Sequence, residues 1–183
     1  MIRLESACGP RVARLFQQLL SLMLLNAFAS LGSQVLVLVG SRGLVPADDW
    51  LARASGVGFA DAPTLFWLGA SDAWLVGGTV VGAGLALLAL LGIAARSAFA
   101  LSAVLYLSYV TIGRTFLAFQ WDNLLLETLL LAVLLPARRE APWIHWLFRI
   151  LLFKLYFESG LAKYQSHIGD WIDGSAMRYY YET

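Results

Sequence analysis

The chain has 183 residues, 60% of them apolar and 14% charged, with a mean hydropathy of +0.71. Average soluble domains are about 45–50% apolar and about 25% charged, so these values exclude an ordinary soluble domain and point to a protein whose solvent is mostly lipid. The net charge of +1 argues neither way about nucleic acid, and no nucleic-acid partner is expected; Cys8, the single cysteine, excludes an intrachain disulfide or a cysteine metal cluster.

Residues 1–14 carry Arg3, Arg11 and Arg14 and read as a cytosolic N-terminal segment. The apolar run 15–40 is long enough to cross about 30 Å of hydrocarbon at about 1.5 Å per residue. Within it Asn26, Ser30, Ser33 and Gln34 share one helical face, read as polar contacts between packed helices, with a pathway lining as the alternative. The basic start and Ala27-Phe28-Ala29 resemble a signal peptide, but the run continues to Val39, so a retained span is expected. Residues 41–73, with Pro46, Asp48, Asp49, Asp61 and Pro63, form a polar loop. Leu51, Phe59, Leu65, Phe66 and Trp67 predict that parts of it lie on the membrane interface.

A second span is predicted at 74–93, where Gly78, Gly82 and Gly84 would let another helix approach closely. Arg96 marks a short loop before a third span at 97–117. A shorter fourth span at 122–136 stops at Pro136, and Arg138, Arg139 and Glu140 connect it to a fifth at 143–161. Residues 162–183 form an outer tail rich in tryptophan and tyrosine. The expected fold class is therefore all-α: a polytopic helical membrane protein of about five spans with a partly interfacial outer loop. Arginines gather at the N-terminus, at Arg96 and at Arg138–Arg139, which places the N-terminus in the cytosol and the tail outside.

The apolar region 106–136 is interrupted by Arg114, Gln120, Trp121, Asp122, Asn123 and Glu127. On a helix Gln120, Asn123 and Glu127 fall on one stripe and Asp122 projects elsewhere. Glu127 and Lys154 come out at matching depth, about 8–10 Å below the outer surface, on spans joined by a short connection. The candidate buried polar network is Arg114, Gln120, Asp122, Asn123, Glu127, Arg149, Lys154, Glu158 and Lys163. One reading is an ion-pair network that fixes helix register. The other is an outward-opening reaction or transport site, with Lys154 or Glu127 handling a proton. His145 and His167 are too far apart in sequence to form a metal motif, and no nucleophile–base or phosphate-loop spacing appears. No catalytic residue, metal or cofactor is assigned. Trp171, Asp173, Tyr179, Tyr181 and Glu182 form a candidate outer-surface motif.

Five stretches carry a family resemblance: NAFASLGSQVLVLVGSRGLVPA (26–47), TLFWLGASD (64–72), FLAFQWDNLLLET (116–128), RILLFKLYFESGLAKYQS (149–166) and DWIDGSAMRYYYET (170–183). Together they resemble the N-terminal membrane region of the lipase maturation factor family. A looser similarity runs to the superfamily of transmembrane proteins that includes vitamin K-dependent carboxylases. The first resemblance implies a membrane protein that helps secreted lipases fold and assemble, with membrane lipid and a secreted lipase client as partners. The second implies the alternative of a membrane enzyme using a buried Lys/Glu cluster; a non-catalytic scaffold is a further alternative. Family members in eukaryotes sit in the endoplasmic reticulum; here the bacterial inner membrane is the expectation. Members also continue past a Tyr-His-Tyr-Glu-Thr type of motif, where this chain has Tyr180 in place of histidine and stops at Thr183, so a fragment or truncated reading frame is expected.

Overall fold

A computed structural model describes residues 5–54, 56–135, 142–166 and 169–182, and the chain divides into two compact units, residues 1–144 and 145–183. Every regular element among the described residues is helical: α1 (Glu5–Val39), α2 (Ala47–Arg53), α3 (Asp72–Leu90), α4 (Ala95–Gly113), α5 (Gln120–Leu134), α6 (Pro142–Gln165), α7 (Gly169–Ile172) and α8 (Ser175–Glu182). Short 3-10 turns cover Leu65–Leu68 and Arg114–Phe116.

The first unit is built on a seam between α1 and α3. Buried Leu24, Phe28, Leu31 and Val35 recur along α1 at steps of four and three residues, and Leu75, Thr79, Gly82, Ala86 and Ala89 do the same along α3. This is the period of two antiparallel helices meshing along their length. Large side chains stand on α1 and small ones on α3, so the backbones come close. A Cβ at Gly82 would strike the Phe28 ring, and one at Gly78 would strike the Tyr109 hydroxyl of α4. The two glycines therefore serve different neighbours. A Cβ at Gly84 would meet nothing, so the expectation of a third close approach there is corrected: Gly84 sits off the seam.

The α3–α4 turn closes with Gly92 at φ 76°, where Ile93 N donates to Leu88 O and Gly92 N to Ala89 O. This arrangement satisfies the last carbonyls of α3 and demands a left-handed residue. At the opposite end of the bundle, Ser41 donates to Asp72 through its backbone N (2.7 Å) and its hydroxyl (2.9 Å), tying the end of α1 to the start of α3. Residues 41–71 are more ordered than a plain polar loop. They contain α2, and the Leu65–Leu68 turn packs on α4. Asp72→Ala is expected to leave the helices in place while making residues 41–71 easier to cleave; limited proteolysis of membranes checks this, and an unchanged cleavage rate would count against the link.

Among the described residues, three helices are long and apolar enough to cross a membrane: Arg11–Val39, Asp72–Leu90 and Ala95–Phe116. The first helix begins at Glu5, so residues expected to precede a span are its opening turns. At 15 residues α5 reaches only about 22 Å, short of the hydrocarbon thickness. Over its 24 residues α6 carries Arg149, Lys154, Glu158 and Lys163. The polar connection expected at Arg138, Arg139 and Glu140 lies outside the described residues.

Candidate functional site

The polar side chains of the first unit converge where α1 ends and where α3 and α5 begin. Asp122, in the first turn of α5, is 7% exposed and accepts a 2.6 Å hydrogen bond from the Tyr106 hydroxyl of α4. Beside it, Tyr109 donates to the Leu75 carbonyl of α3, and its ring meets Phe28 and Phe66 edge-on at 6.5 and 4.9 Å between centroids. The preceding residue, Ser108, donates from its own hydroxyl to Val104 O while accepting from Leu65 N. Thr64 donates to Ser108 O, and Thr111 to Pro63 O. α4 thus presents a row of hydroxyls that holds the 62–68 segment in place. Buried polar groups need such partners, since leaving one unmade costs about 1–3 kcal/mol.

The placement of the expected network is mixed. On α5, Gln120, Asn123 and Glu127 share one stripe and Asp122 projects elsewhere, as expected, but Gln120 and Asn123 are exposed and Glu127 half-buried, and Asp122 is the residue turned inward. The reason is packing. Asp122 heads the stripe that continues through Leu125, Leu126, Leu129 and Ala132, and that apolar stripe faces the core. Following the leucines backwards would have found it. Arg114 is exposed, takes φ 43° at the end of α4, and sets its guanidinium 5.7 Å from the Trp50 ring centre. Tyr106, Tyr109, Ser108, Thr64 and Trp50 were not singled out by sequence reasoning. Their spacing carries no motif, because their partners lie on other elements.

In the second unit the cations are held locally. The Arg149 guanidinium lies 5.0 Å from the Trp146 ring centre, and Lys154 Nζ is 4.0 Å from Glu158 Oε1 one turn along. Lys163 Nζ sits 4.6 Å from the ring centre of Trp171. Asp173 accepts from Ser175 N at 2.9 Å at the start of α8, and that bond holds its carboxyl below the usual carboxylate range. Tyr181 is exposed; the side chains of Tyr179 and Glu182 lie outside the described residues. Glu127 belongs to the first unit and Lys154 to the second.

Chemically, this arrangement positions and holds. Among the described residues no three of His, Cys, Asp and Glu converge to bind a metal. The exposed residues of 44–74 and of the start of α5 are instead apolar and acidic: Leu44, Phe59, Leu68, Trp74 and Trp121, and also Asp48, Asp49 and Asp61.

Comparison with known proteins gives one consistent result. The family model described as the lipase maturation factor transmembrane domain matches residues 11–183. Lipase maturation factor 2 of Gallus gallus is 38% identical over 200 residues, covering 94% of this chain and 27% of the relative. Lipase maturation factor 2 of Homo sapiens is also 38% identical, covering 96% of this chain and 29% of the relative. Lipase maturation factor 1 of Bos taurus is 32% identical, covering 80% and 30%. The chain thus spans about a quarter of the length of the first relatives it matches. No solved structure matches it.

Proposed function

The chain belongs to the lipase maturation factor family and is an all-α integral membrane protein, and from that premise we propose that it assists the folding and assembly of secreted lipases by contact, without bond-making chemistry of its own. The observation that carries this reading is the family match over residues 11–183 together with relatives at 38% identity. The exposed Leu44, Phe59, Leu68, Trp74 and Trp121 support it, because an incompletely folded protein offers apolar surface to such a patch.

In this reading the end carrying residues 41–71 faces away from the cytosol. Arg11, Arg14 and Arg96 lie at the other end of the first unit, and basic residues near span ends favour the cytosolic side. The vertebrate source of the relatives favours the endoplasmic-reticulum membrane over the bacterial inner membrane expected from the sequence.

The test is co-expression with a secreted lipase in cells that lack the related factors. The expected result is a higher lipase activity per molecule secreted, and cross-linking of the immature lipase to this chain. Unchanged specific activity with no cross-link, while the chain sits in the membrane, would sink the reading.

A further inference from the structure

The connection between α1 and α3 changes character partway along. Residues 42–61 expose Arg42, Asp48, Asp49, Arg53 and Asp61, whereas residues 62–70 hold no charged residue and expose only Leu65 and Leu68. Backbone groups of this second part are met from within the protein. Ala62 O accepts from the Trp67 indole at 3.0 Å, Phe66 N donates to the Thr64 hydroxyl at 3.2 Å, and Gly69 N to Phe66 O at 3.1 Å. Two further partners come from α4: Leu65 N donates to the Ser108 hydroxyl and the Thr111 hydroxyl to Pro63 O, each at 3.0 Å. Pro63 itself has no N–H to satisfy. Water would serve such groups without help, whereas hydrocarbon leaves them to the protein.

The level at which the segment docks agrees. Arg96 and Arg114 stand near the two ends of the candidate span Ala95–Phe116 and bracket about 27 Å of helix, against about 30 Å of hydrocarbon. Thr111 and Ser108 lie about 4 and 9 Å inside Arg114. Leu101, Val104, Ser108 and Thr111 recur at steps of three and four residues, so they share one face of α4. Where that face carries Leu101 and Val104 it is bare and apolar; where it carries Ser108 and Thr111 the 62–68 segment covers it.

We propose that residues 62–70 re-enter the membrane, seated on the lipid-facing side of α4 below the level of Arg114 and held by Ser108 and Thr111, with Leu65 and Leu68 against lipid acyl chains. The pattern of the segment selects lipid. A face turned to water would carry exposed charge, as 42–61 does, and a protein neighbour would not require the backbone to be served from inside. Trp74 extends the same surface: a Cβ at Gly69 would come within 3.0 Å of its indole, and tryptophan is favoured where hydrocarbon meets headgroups. Of the residues expected on the interface from the sequence, Leu51 and Phe66 are instead buried inside the unit. The inference does not rest on the client-folding role; Leu68 and Trp74 go to lipid, and Leu44, Phe59 and Trp121 remain for a client.

The experiment places a nitroxide on single cysteines in a Cys8→Ser background, with the full chain reconstituted in phosphatidylcholine vesicles. Collisions with oxygen, which concentrates in hydrocarbon, are compared with collisions with a nickel chelate confined to water. Oxygen should dominate at Leu68→Cys and the nickel chelate at Asp61→Cys. Leu68 is 76% exposed, so the label displaces little packing. Nickel collisions as frequent at Leu68→Cys as at Asp61→Cys would overturn the proposal. So would few collisions with either agent at Leu68→Cys, since the segment would then be covered by protein, from the second unit or from another copy. Adding Ser108→Ala and Thr111→Val to Leu68→Cys leaves Leu65 N and Pro63 O without partners in hydrocarbon, so the segment should move toward water and nickel collisions should rise. An unchanged preference for oxygen in that protein would also overturn the proposal, because the two hydroxyls would not be what holds the segment at depth.

Discussion

Gly82→Leu should remove most of the protein from the membrane fraction, whereas Leu87→Ala should leave its level close to that of the parent. Gly82 is buried on α3, and a Cβ added there would overlap the Phe28 ring. That ring cannot step aside. It is 1% exposed and meets Tyr106 edge-on at 5.7 Å and Tyr109 at 6.5 Å. The remaining response is for α1 and α3 to part along the seam. Overpacking a close-packed core costs about 1–3 kcal/mol, occasionally more, and a whole leucine side chain at a helix crossing belongs at the upper end. Against a total stability of about 5–15 kcal/mol, that is enough to deplete a folded membrane protein through quality control. Leu87 is 45% exposed on the same helix. Lipid tails are as apolar as leucine, so truncating it loses little. Immunoblots of membrane fractions measure both variants, and Phe28→Ala should restore part of the level of Gly82→Leu. Equal accumulation of the two single variants would mean that the seam is not where α1 and α3 meet.

The second large effect is expected at Tyr106 and Asp122. These side chains are 5% and 7% exposed and share a 2.6 Å hydrogen bond between α4 and α5. Tyr106→Phe keeps the ring in its contact with Phe28 but leaves the Asp122 carboxyl without its donor. Asp122→Leu leaves the phenol without its acceptor. Each orphaned group costs about 1–3 kcal/mol, so both single variants should unfold at lower temperature in detergent. With both partners made apolar nothing polar is stranded, and the double variant should lie closer to the parent than the sum of the singles. Interaction energies of about 0.5–3 kcal/mol are usual for residues in contact. Melting curves followed by tryptophan fluorescence give the cycle, and strict additivity would show that the bond contributes nothing to holding α4 against α5.

These two sites also mark what can be read along a chain. Both Gly78 and Gly82 were recognisable as close-approach positions from their spacing, but spacing could not tell that one meets α4 and the other α1. Gly84 looked equivalent and is not. For α5, the polar residues suggested a functional stripe, and the structure turned Gln120 and Asn123 outward and Asp122 inward. The apolar side chains on the same turn outweigh a carboxyl that finds a partner. The partner, Tyr106, sits in a run that reads as ordinary apolar span, with nothing in its neighbourhood to distinguish it from Tyr109.

The sequence by itself determined the five long helices, the approximate ends of most of them, the membrane environment and the family, while α2, α7 and α8 lie in stretches that read as loop and tail. Apolar runs of span length have few other stable outcomes, because backbone groups in hydrocarbon must bond within their own segment. It also determined that the region at 114–127 would be polar. Only the tertiary structure decided which polar groups are held: Asp122 by Tyr106, Asp72 by Ser41, and Ser108 by the 62–68 segment. The same holds for the α1 stripe of Asn26, Ser30 and Ser33, whose period was visible but whose outward direction within the first unit was not. Periodicity defines the faces of a helix from the chain alone. Which face is covered depends on what other elements bring to it, and the hydrogen bonds just named join residues 16 to 44 positions apart.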